Sequence, residues 1–261
     1  MINLRFLIKN MLYTAVHHTD LMESELSGPK TKLELVKELF SMHLQSKEAA
    51  YLYLGYSAFI VRSKTAVLLF DPANLLTGED AKAIRNLDLM LFTHGHGDHY
   101  KQAETLGIFE ATKAPILAEN GVATDLKTKV PSDKLTSVQP GETYQIGNIR
   151  TKVVNGIHRG PINLFHINLG DITIFDGGDS AYVPLKEFHA DLAFVPTGTP
   201  SPTASPSDAC KMVSDLGAKV AVAIHGSEAQ SKEFEKLVKT QMPKTTVFIA
   251  VANELKKVTL G

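Results

Sequence analysis

The run His94-Gly95-His96-Gly97-Asp98-His99 gathers side chains that are well suited to bind a metal ion. It follows directly on the apolar segment 87–92, which is typical of a buried strand. The two glycines let the backbone turn tightly enough for alternate side chains to converge. Imidazole nitrogens and carboxylate oxygens at short range are the ligands that zinc, manganese and iron accept. A lone histidine is usually a polar packing residue, but three histidines and an aspartate in this spacing predict a metal site.

This run resembles the His-x-His-x-Asp-His signature of the metallo-β-lactamase superfamily, and the resemblance covers residues 51–261. The stretches 54–60 and 69–72 resemble one branch of it, which includes ascorbate-6-phosphate lactonase-like proteins and the uncharacterised metal-dependent hydrolases near them. That branch usually has a histidine where this chain has Tyr56. The difference weakens any transfer of the lactonase substrate. It makes the phenol of Tyr56 a candidate for the substrate pocket, as a hydrogen-bonding group or as part of the wall.

The superfamily pattern implies a first metal held by three histidines. His158, at the end of a predicted strand, would complete this set with His94 and His96. His166 is the nearby competitor, but it falls in the middle of an apolar strand, where a core role is expected. The resemblance therefore favours His158.

The same pattern implies a second metal and a bridge between the two. His225 follows the apolar strand 220–224 and would join Asp98 and His99 on the second metal. Asp179 directly follows a glycine and precedes a serine, as in the Gly-Asp-Thr/Ser turn of the superfamily, and would bridge the metals. Asp176 is interpreted as a simple turn residue.

Asp71 ends the apolar segment 66–70, where the superfamily places an aspartate that orients a metal-bound imidazole through its second nitrogen. We expect this supporting role for Asp71, and the alternative is a turn formed by the Asp-Pro pair. The remaining histidines match no part of the motif, so surface or packing roles are expected for His17, His18, His43 and His189.

The resemblance implies a metal-dependent hydrolase with two divalent metal ions. Zinc is the favoured metal, and manganese or iron are alternatives. A metal-bound hydroxide would attack a small-molecule ester, lactone or phosphodiester, and Asp98 would accept or orient its proton while remaining a ligand. One alternative is an iron-dependent redox enzyme, either diiron or similar to a persulfide dioxygenase. Diiron members typically have glutamate at the position of His96. A second alternative is a non-catalytic metal-binding protein, although a structural site normally has four ligands and is closed.

The elements that must position these residues alternate between short strands and helices. Strands are predicted at 51–54, 58–62, 66–70, 87–92, 116–118, 149–154, 163–169, 172–175, 192–195, 220–224, 246–251 and 256–260, with helices near 79–85, after the histidine run, at 206–216 and after His225. Ser205 is the expected N-cap of helix 206–216, with Pro206 in its first position. Such a mixture predicts an α+β fold in which two sheets pack face to face between helices, a four-layer αββα sandwich.

Residues 1–48 are predicted to be an N-terminal helical extension, and 49–261 the metallo-β-lactamase-like domain. The extension is expected to serve packing or formation of a homo-oligomer rather than to act as a substrate lid, and 197–207 is expected to be a surface loop.

A net charge of −1, from 27 basic and 28 acidic residues, disfavours nucleic acid as a partner and favours a small-molecule substrate. No apolar stretch reaches the roughly 18 residues of a membrane helix. The single cysteine, Cys210, excludes an internal disulfide, and a cytoplasmic location is expected.

Overall fold

The computed structural model describes residues 28–261 and contains two seven-stranded sheets. The first sheet has the order β14-β1-β2-β3-β4-β5-β6. Its strands are β1 (Glu48–Gly55), β2 (Ala58–Ser63), β3 (Val67–Phe70), β4 (Leu89–Phe92), β5 (Ile116–Ala118), β6 (Leu135–Ser137) and β14 (Glu254–Thr259). From β3 to β6 the neighbouring strands are parallel, whereas β14, β1, β2 and β3 pair antiparallel.

The second sheet has the order β13-β12-β11-β10-β9-β8-β7. Its strands are β7 (Thr143–Ile146), β8 (Ile149–Asn155), β9 (Asn163–Asn168), β10 (Thr173–Asp176), β11 (Leu192–Pro196), β12 (Val220–Ile224) and β13 (Thr246–Ile249). Strands β10 to β13 are parallel, and β7 to β10 form an antiparallel meander.

Between residues 28 and 261, six helices cover the outer faces of the two sheets. They are α1 (Lys32–Ser41), α2 (Gly78–Ala83), α3 (Gln102–Thr112), α4 (Asn120–Leu126), α5 (Pro206–Leu216) and α6 (Glu228–Gln241). Helix α5 begins as predicted, because the Ser205 side chain accepts a hydrogen bond from the backbone N–H of Asp208 and Pro206 occupies the first turn. Within the described part of the chain, no helix is both long and apolar enough to span a membrane.

Three layers of buried apolar side chains hold these elements together. The central layer lies between the sheets and includes the stacked rings of Phe59, Phe70 and Phe194. A second layer packs the first sheet against α1 to α4, and a third packs the second sheet against α5 and α6. The arrangement is the predicted four-layer αββα sandwich of α+β class.

The strand directions bring the six loops that carry the selected residues to one edge of the sandwich. Strands β1, β3 and β4 run the same way in the first sheet, and β8, β10 and β12 run the same way in the second. Their carboxyl ends therefore lie together within each sheet, at the edge where sheet-based enzymes place their chemistry. Every residue selected above as a metal ligand, together with Asp71 and Tyr56, follows one of these six strands.

Candidate metal centre

The first cluster consists of three imidazoles from the loops after β4 and β8. The Nδ1 atom of His96 lies 3.0 Å from Nε2 of His94 and 3.1 Å from Nε2 of His158. The three nitrogens lie within 4.8 Å of one another. His94 is buried, His158 is half-buried and His96 is exposed, so the cluster opens to solvent on one side. Three imidazoles with one open side are a ligand set typical of catalytic zinc.

The second cluster consists of Asp98, His99, Asp179 and His225, whose ligand atoms also lie within 4.8 Å of one another. The Oδ1 atom of Asp179 lies 3.1 Å from Nε2 of His99 and 3.3 Å from Nε2 of His225. The Oδ2 atom of Asp98 lies 3.4 Å from Nε2 of His225. The two clusters adjoin, because the rings of His94 and His99 are 4.1 Å apart between centroids.

The second cluster passes a simple test of whether its residues fit a cation. Nε2 of His99 and Nε2 of His225 are buried and have no hydrogen-bond partner among the described residues, although carboxylate oxygens lie close to both. These nitrogens and oxygens lie 3.1 to 3.4 Å apart without forming a hydrogen bond. Nitrogens and oxygens that lie this close without bonding to one another are arranged as ligands around a common cation position. Two carboxylates and two imidazoles in such an arrangement fit a divalent cation.

Asp71 and Thr93 determine which nitrogen of two histidines faces the clusters. The fully buried Asp71 carboxylate accepts the Thr93 backbone N–H at 2.8 Å, the Thr93 hydroxyl, and Nδ1–H of His99 at 2.8 Å. Because the Thr93 hydroxyl donates to Asp71, it accepts from Nδ1 of His94, 3.0 Å away. Both imidazoles therefore carry a proton on Nδ1 and direct Nε2 towards the clusters.

Thr203, in the loop between β11 and α5, repeats this arrangement for the third histidine. Its hydroxyl donates to the backbone oxygen of Asp179 at 2.8 Å and lies 3.0 Å from Nδ1 of His158. His158 must then donate through Nδ1, which leaves Nε2 free to act as a ligand. Ser57 completes the support, because its buried hydroxyl lies 3.1 Å from the Asp179 carboxylate.

Burial and neighbouring charges shift the pKa values of the cluster. Burial and the charge of His99 lower the pKa of His94 to about 2. Burial also opposes protonation of His99, but Asp71 and Asp179 together raise its pKa to about 10. The imidazole of His225 lowers the pKa of Asp98. Burial opposes ionisation of Asp179, but His99 and His225 hold its pKa below the ordinary value. The clusters are thus rich in carboxylate charge, as a cation site requires.

The structure brings all seven predicted ligands into these two adjoining clusters, with Asp71 beneath them. Tyr56 lies at the rim, with its ring centroid 5.8 Å from that of His225. The supporting hydroxyls of Ser57, Thr93 and Thr203 were missed by the sequence analysis, since no spacing distinguishes them from other hydroxyl residues.

Two expectations about competing residues are corrected. His166 is half-buried on the outer face of β9, where its Nε2–H donates to the His189 backbone oxygen at 2.6 Å, so it is not a core residue. Asp176 is not a simple turn residue. Its Oδ1 accepts the Gly178 N–H at 3.0 Å, as a turn residue would, but its carboxyl is completely buried below the clusters. Burial and the charge of Asp71 raise its pKa well above the ordinary value.

Comparison with known proteins agrees with this geometry. Residues 67–226 match the model of the beta-lactamase superfamily domain. The metal-dependent hydrolase YtkL of Bacillus subtilis is 30% identical over 200 residues, which cover 66% of this chain and 83% of YtkL. A metal-dependent hydrolase of Thermococcus onnurineus is 30% identical over 210 residues, covering 71% of this chain and 90% of the relative.

Among solved structures, the metallo hydrolase Igni18 of the archaeon Ignicoccus hospitalis matches with a TM-score of 0.68 and 19% identity. The match covers 81% of this chain and 98% of the Igni18 chain. The fold, the family model and the relatives agree. The chain therefore belongs to the metallo-β-lactamase superfamily, within its family of metal-dependent hydrolases.

Proposed function

We propose that this chain uses two divalent metal ions to hydrolyse a small-molecule ester, lactone or phosphodiester. Zinc is the favoured metal. His94, His96 and His158 would hold one ion, and Asp98, His99 and His225 the other. Asp179 would lie between the two, since its Oδ1 atom is close to two imidazoles of the second cluster and its neighbour Thr203 holds an imidazole of the first.

One observation carries this proposal: buried imidazole nitrogens stand beside carboxylate oxygens without bonding to them. Leaving buried polar groups unpaired costs about 1–3 kcal/mol for each. A protein retains such groups where another partner satisfies them, and a cation satisfies all of them at once. A purely structural zinc site would be closed by four ligands, whereas the exposed His96 leaves this one open to solvent.

Bound metal ions supply Lewis acidity and can lower the pKa of a coordinated water to about 7. The side chains of the protein accept the proton and keep the geometry of the site. The Asp98 side chain is 33% exposed, so its carboxylate faces the side from which water and substrate arrive. It can accept the proton that the attacking water loses. His99 and Asp179 are buried below it and keep the geometry fixed.

The Asp98→Ala variant tests the assignment. Removing a positioned proton acceptor that is also a ligand should lower kcat by about 10²- to 10⁴-fold while the fold is kept. The variant, the wild type and a His43→Ala control are stripped with a chelator and reloaded separately with zinc, manganese or iron. Each is then assayed with 4-nitrophenyl acetate, a γ-lactone and bis(4-nitrophenyl) phosphate.

Full activity in Asp98→Ala would remove Asp98 from the mechanism. Absence of hydrolysis with every metal, together with oxygen uptake on a persulfide by the iron-loaded protein, would replace the proposal by the redox alternative. The absorption spectrum and metal content of protein grown without added zinc distinguish the same two cases.

The proposal also covers the location of the protein, its class of partner and its N-terminal extension. We assign it to the cytoplasm, because a chain with a single cysteine cannot form an internal disulfide, the bond typical of proteins in oxidising compartments. The balanced charge supports a small-molecule substrate over nucleic acid. We also propose that residues 1–48 are an extension to the catalytic unit 49–261 that serves packing or homo-oligomer formation.

A further inference from the structure

Exposed large hydrophobic side chains are few in the described part of the chain, and they share one location. Between residues 28 and 261 they are Tyr56, Ile157 and Val251, with 43%, 52% and 59% of their surface exposed. Single exposed hydrophobic residues are ordinary on a protein surface. Here, however, all three follow strands that end at the edge of the sandwich carrying the candidate metal centre, and we call them the apolar rim.

Tyr56 forms the His225 side of the apolar rim and is held there firmly. Its ring lies 5.8 Å from that of His225. Its backbone has φ of 50°, an uncommon conformation for a bulky residue. The buried Tyr53 hydroxyl donates to the Tyr56 backbone oxygen at 2.6 Å and stabilises this turn. The fold therefore supports an unfavourable backbone conformation and leaves the aromatic ring exposed beside a candidate ligand.

Val251 extends the apolar rim on the same side. In the parallel pair β12–β13, Ala223 lies opposite Ile249, and His225 and Val251 each follow two residues later. The Ala250 N–H donates to the Ala223 oxygen at 3.0 Å, which keeps the strands adjacent up to this point. The Asn253 N–H donates to the Tyr53 oxygen at 2.8 Å, so the segment also reaches the end of β1 that carries Tyr56.

Ile157 forms the opposite side of the apolar rim, next to His158. Its backbone is bonded at both ends: its N–H donates to Ser180 Oγ at 2.8 Å, and its oxygen accepts the Ala181 N–H at 2.9 Å. Half of its surface is exposed even so. Each cluster therefore has an exposed apolar side chain next to one of its histidines, Tyr56 by His225 in space and Ile157 by His158 in the chain.

We propose that the apolar rim binds an alkyl, acyl or aryl group of the substrate, so that the metal centre acts on small molecules that carry an apolar chain of several carbons. This inference rests on the proposed hydrolase function. Polar groups at the centre would act on the bond to be cut, and the rim would supply apolar contact on either side of it, the division of roles usual in small-molecule sites.

A homologous series of substrates tests the inference. With zinc-loaded protein, kcat/KM should rise from 4-nitrophenyl acetate to the butyrate and hexanoate by up to about fourfold for each methylene. The variant Tyr56→Asn/Ile157→Ser/Val251→Ser should lose most of this dependence and keep its metal content. Asparagine is chosen because it tolerates positive φ. Tyr56→Phe keeps the ring and should retain the chain-length dependence.

Binding of N-phenyl-1-naphthylamine gives a readout that needs no turnover. The chain has no tryptophan, so the fluorescence of this apolar probe is easily distinguished. Probe binding that is lost in the triple variant, without hydrolysis of any ester, would contradict the proposed function and support the rim. Hydrolysis with a flat chain-length dependence would overturn the rim and leave the hydrolase intact. The inference would also be overturned if the triple variant differed from the wild type only in its oligomeric state, measured by sedimentation. The rim would then be a contact between copies of the chain.

Discussion

Two threonines decide which nitrogen of a histidine is available for a metal. Thr93 donates its single hydroxyl proton to Asp71, and Thr203 donates its own to the Asp179 backbone oxygen. Each oxygen can then only accept from the Nδ1 of its histidine, His94 or His158. The threonines therefore fix the tautomers without touching the position of a metal.

The Thr93→Val variant tests this at the scale of one atom. Valine keeps the shape of threonine, but it leaves Nδ1 of His94 without an acceptor and removes one donor from Asp71. Loss of such a supporting partner typically weakens metal binding by about 10- to 100-fold. Zinc affinity is measured by competition with a chromophoric chelator. Thr93→Ser, which retains the hydroxyl, should bind zinc nearly as well as wild type, and equal affinity in Thr93→Val would contradict the role.

The sequence could predict the cluster residues but not these supports. His94, His96, Asp98 and His99 share one short run with glycines, and such a pattern is rare unless it serves a metal. Thr93 and Thr203 are common residues whose role depends on a hydrogen bond to a backbone or carboxylate distant in the chain. Asp176 was underestimated for a similar reason, because its burial depends on how the two sheets meet.

At the scale of elements, the turn after β12 depends on a glycine for space. His225 has φ of 44°, and a Cβ on Gly226 would lie 1.9 Å from Oγ1 and 3.1 Å from Cβ of Thr197. Thr197 is fully buried, so it has little room to move. The sequence of the strand predicts where His225 lies, but only the packing of β11 beside it explains the glycine that follows.

Gly226→Ala should therefore destabilise the protein by about 1–3 kcal/mol through overpacking. It should also weaken zinc binding, because relief of the overlap displaces His225. The matched control is Gly107→Ala in α3, where an added Cβ meets nothing within 4 Å. Alanine inside a helix should stabilise by about 0.5–1 kcal/mol relative to glycine. Thermal unfolding and zinc competition give both values, and a Gly226→Ala variant as stable as wild type would refute the steric argument.

Asp191 ties three strands together at the opposite edge of the second sheet. Its Oδ2 accepts the Thr173 N–H at 2.8 Å and the Thr173 hydroxyl at 3.0 Å, and its Oδ1 lies 3.0 Å from Lys219 Nζ. Thr173 begins β10, and Asp191 and Lys219 directly precede β11 and β12. Burial raises the pKa of this carboxyl, but the Thr173 amide and Lys219 outweigh it and hold the pKa below its ordinary value.

Asp191→Asn should lower the free energy of unfolding by about 1.5–3 kcal/mol at pH 7, as expected for hydrogen bonds to a charged group. A lowered pKa in the folded state stabilises above the unfolded pKa of about 3.9, and the stabilisation disappears as pH falls through the folded value. The difference in Tm between wild type and variant should therefore be largest near neutral pH and shrink in acid. A difference that grows towards acid would show the opposite sign of linkage.

The sequence patterns did not predict every strand and helix. The strands β6 and β7 and the helix α4 were not predicted. Strand β6 is three residues long and β7 alternates only between exposed and half-buried positions, both at sheet edges. Helix α4 contains Gly121 near its start, which weakens helix propensity. Edge and short elements bury little apolar surface, so the periodicity that reveals central strands is faint in them.

At the scale of the whole molecule, helix α1 belongs to the packing of the first sheet. Leu35, Val36 and Leu39 are buried in the layer between the helices and that sheet. Arg62 of β2 donates through Nη1 to the backbone oxygens of Leu39 at 2.9 Å and Met42 at 2.6 Å. This part of the proposed extension thus shares its core with the catalytic unit, and we expect both to unfold in a single transition.

Leu39→Ala makes this expectation measurable. Leu39 is fully buried, and truncation of a buried leucine costs about 2–5 kcal/mol. For a chain of this size each kcal/mol lowers Tm by roughly 2–4 °C, so a loss of about 2–5 kcal/mol should lower the main transition by roughly 4–20 °C. Release of bound zinc, followed with a chromophoric chelator during heating, should shift together with loss of helical circular dichroism. The half-buried Leu33→Ala should change Tm much less. If α1 were independent of the catalytic unit, Leu39→Ala would leave the temperature of zinc release unchanged, because the side chain would stabilise only its own helix.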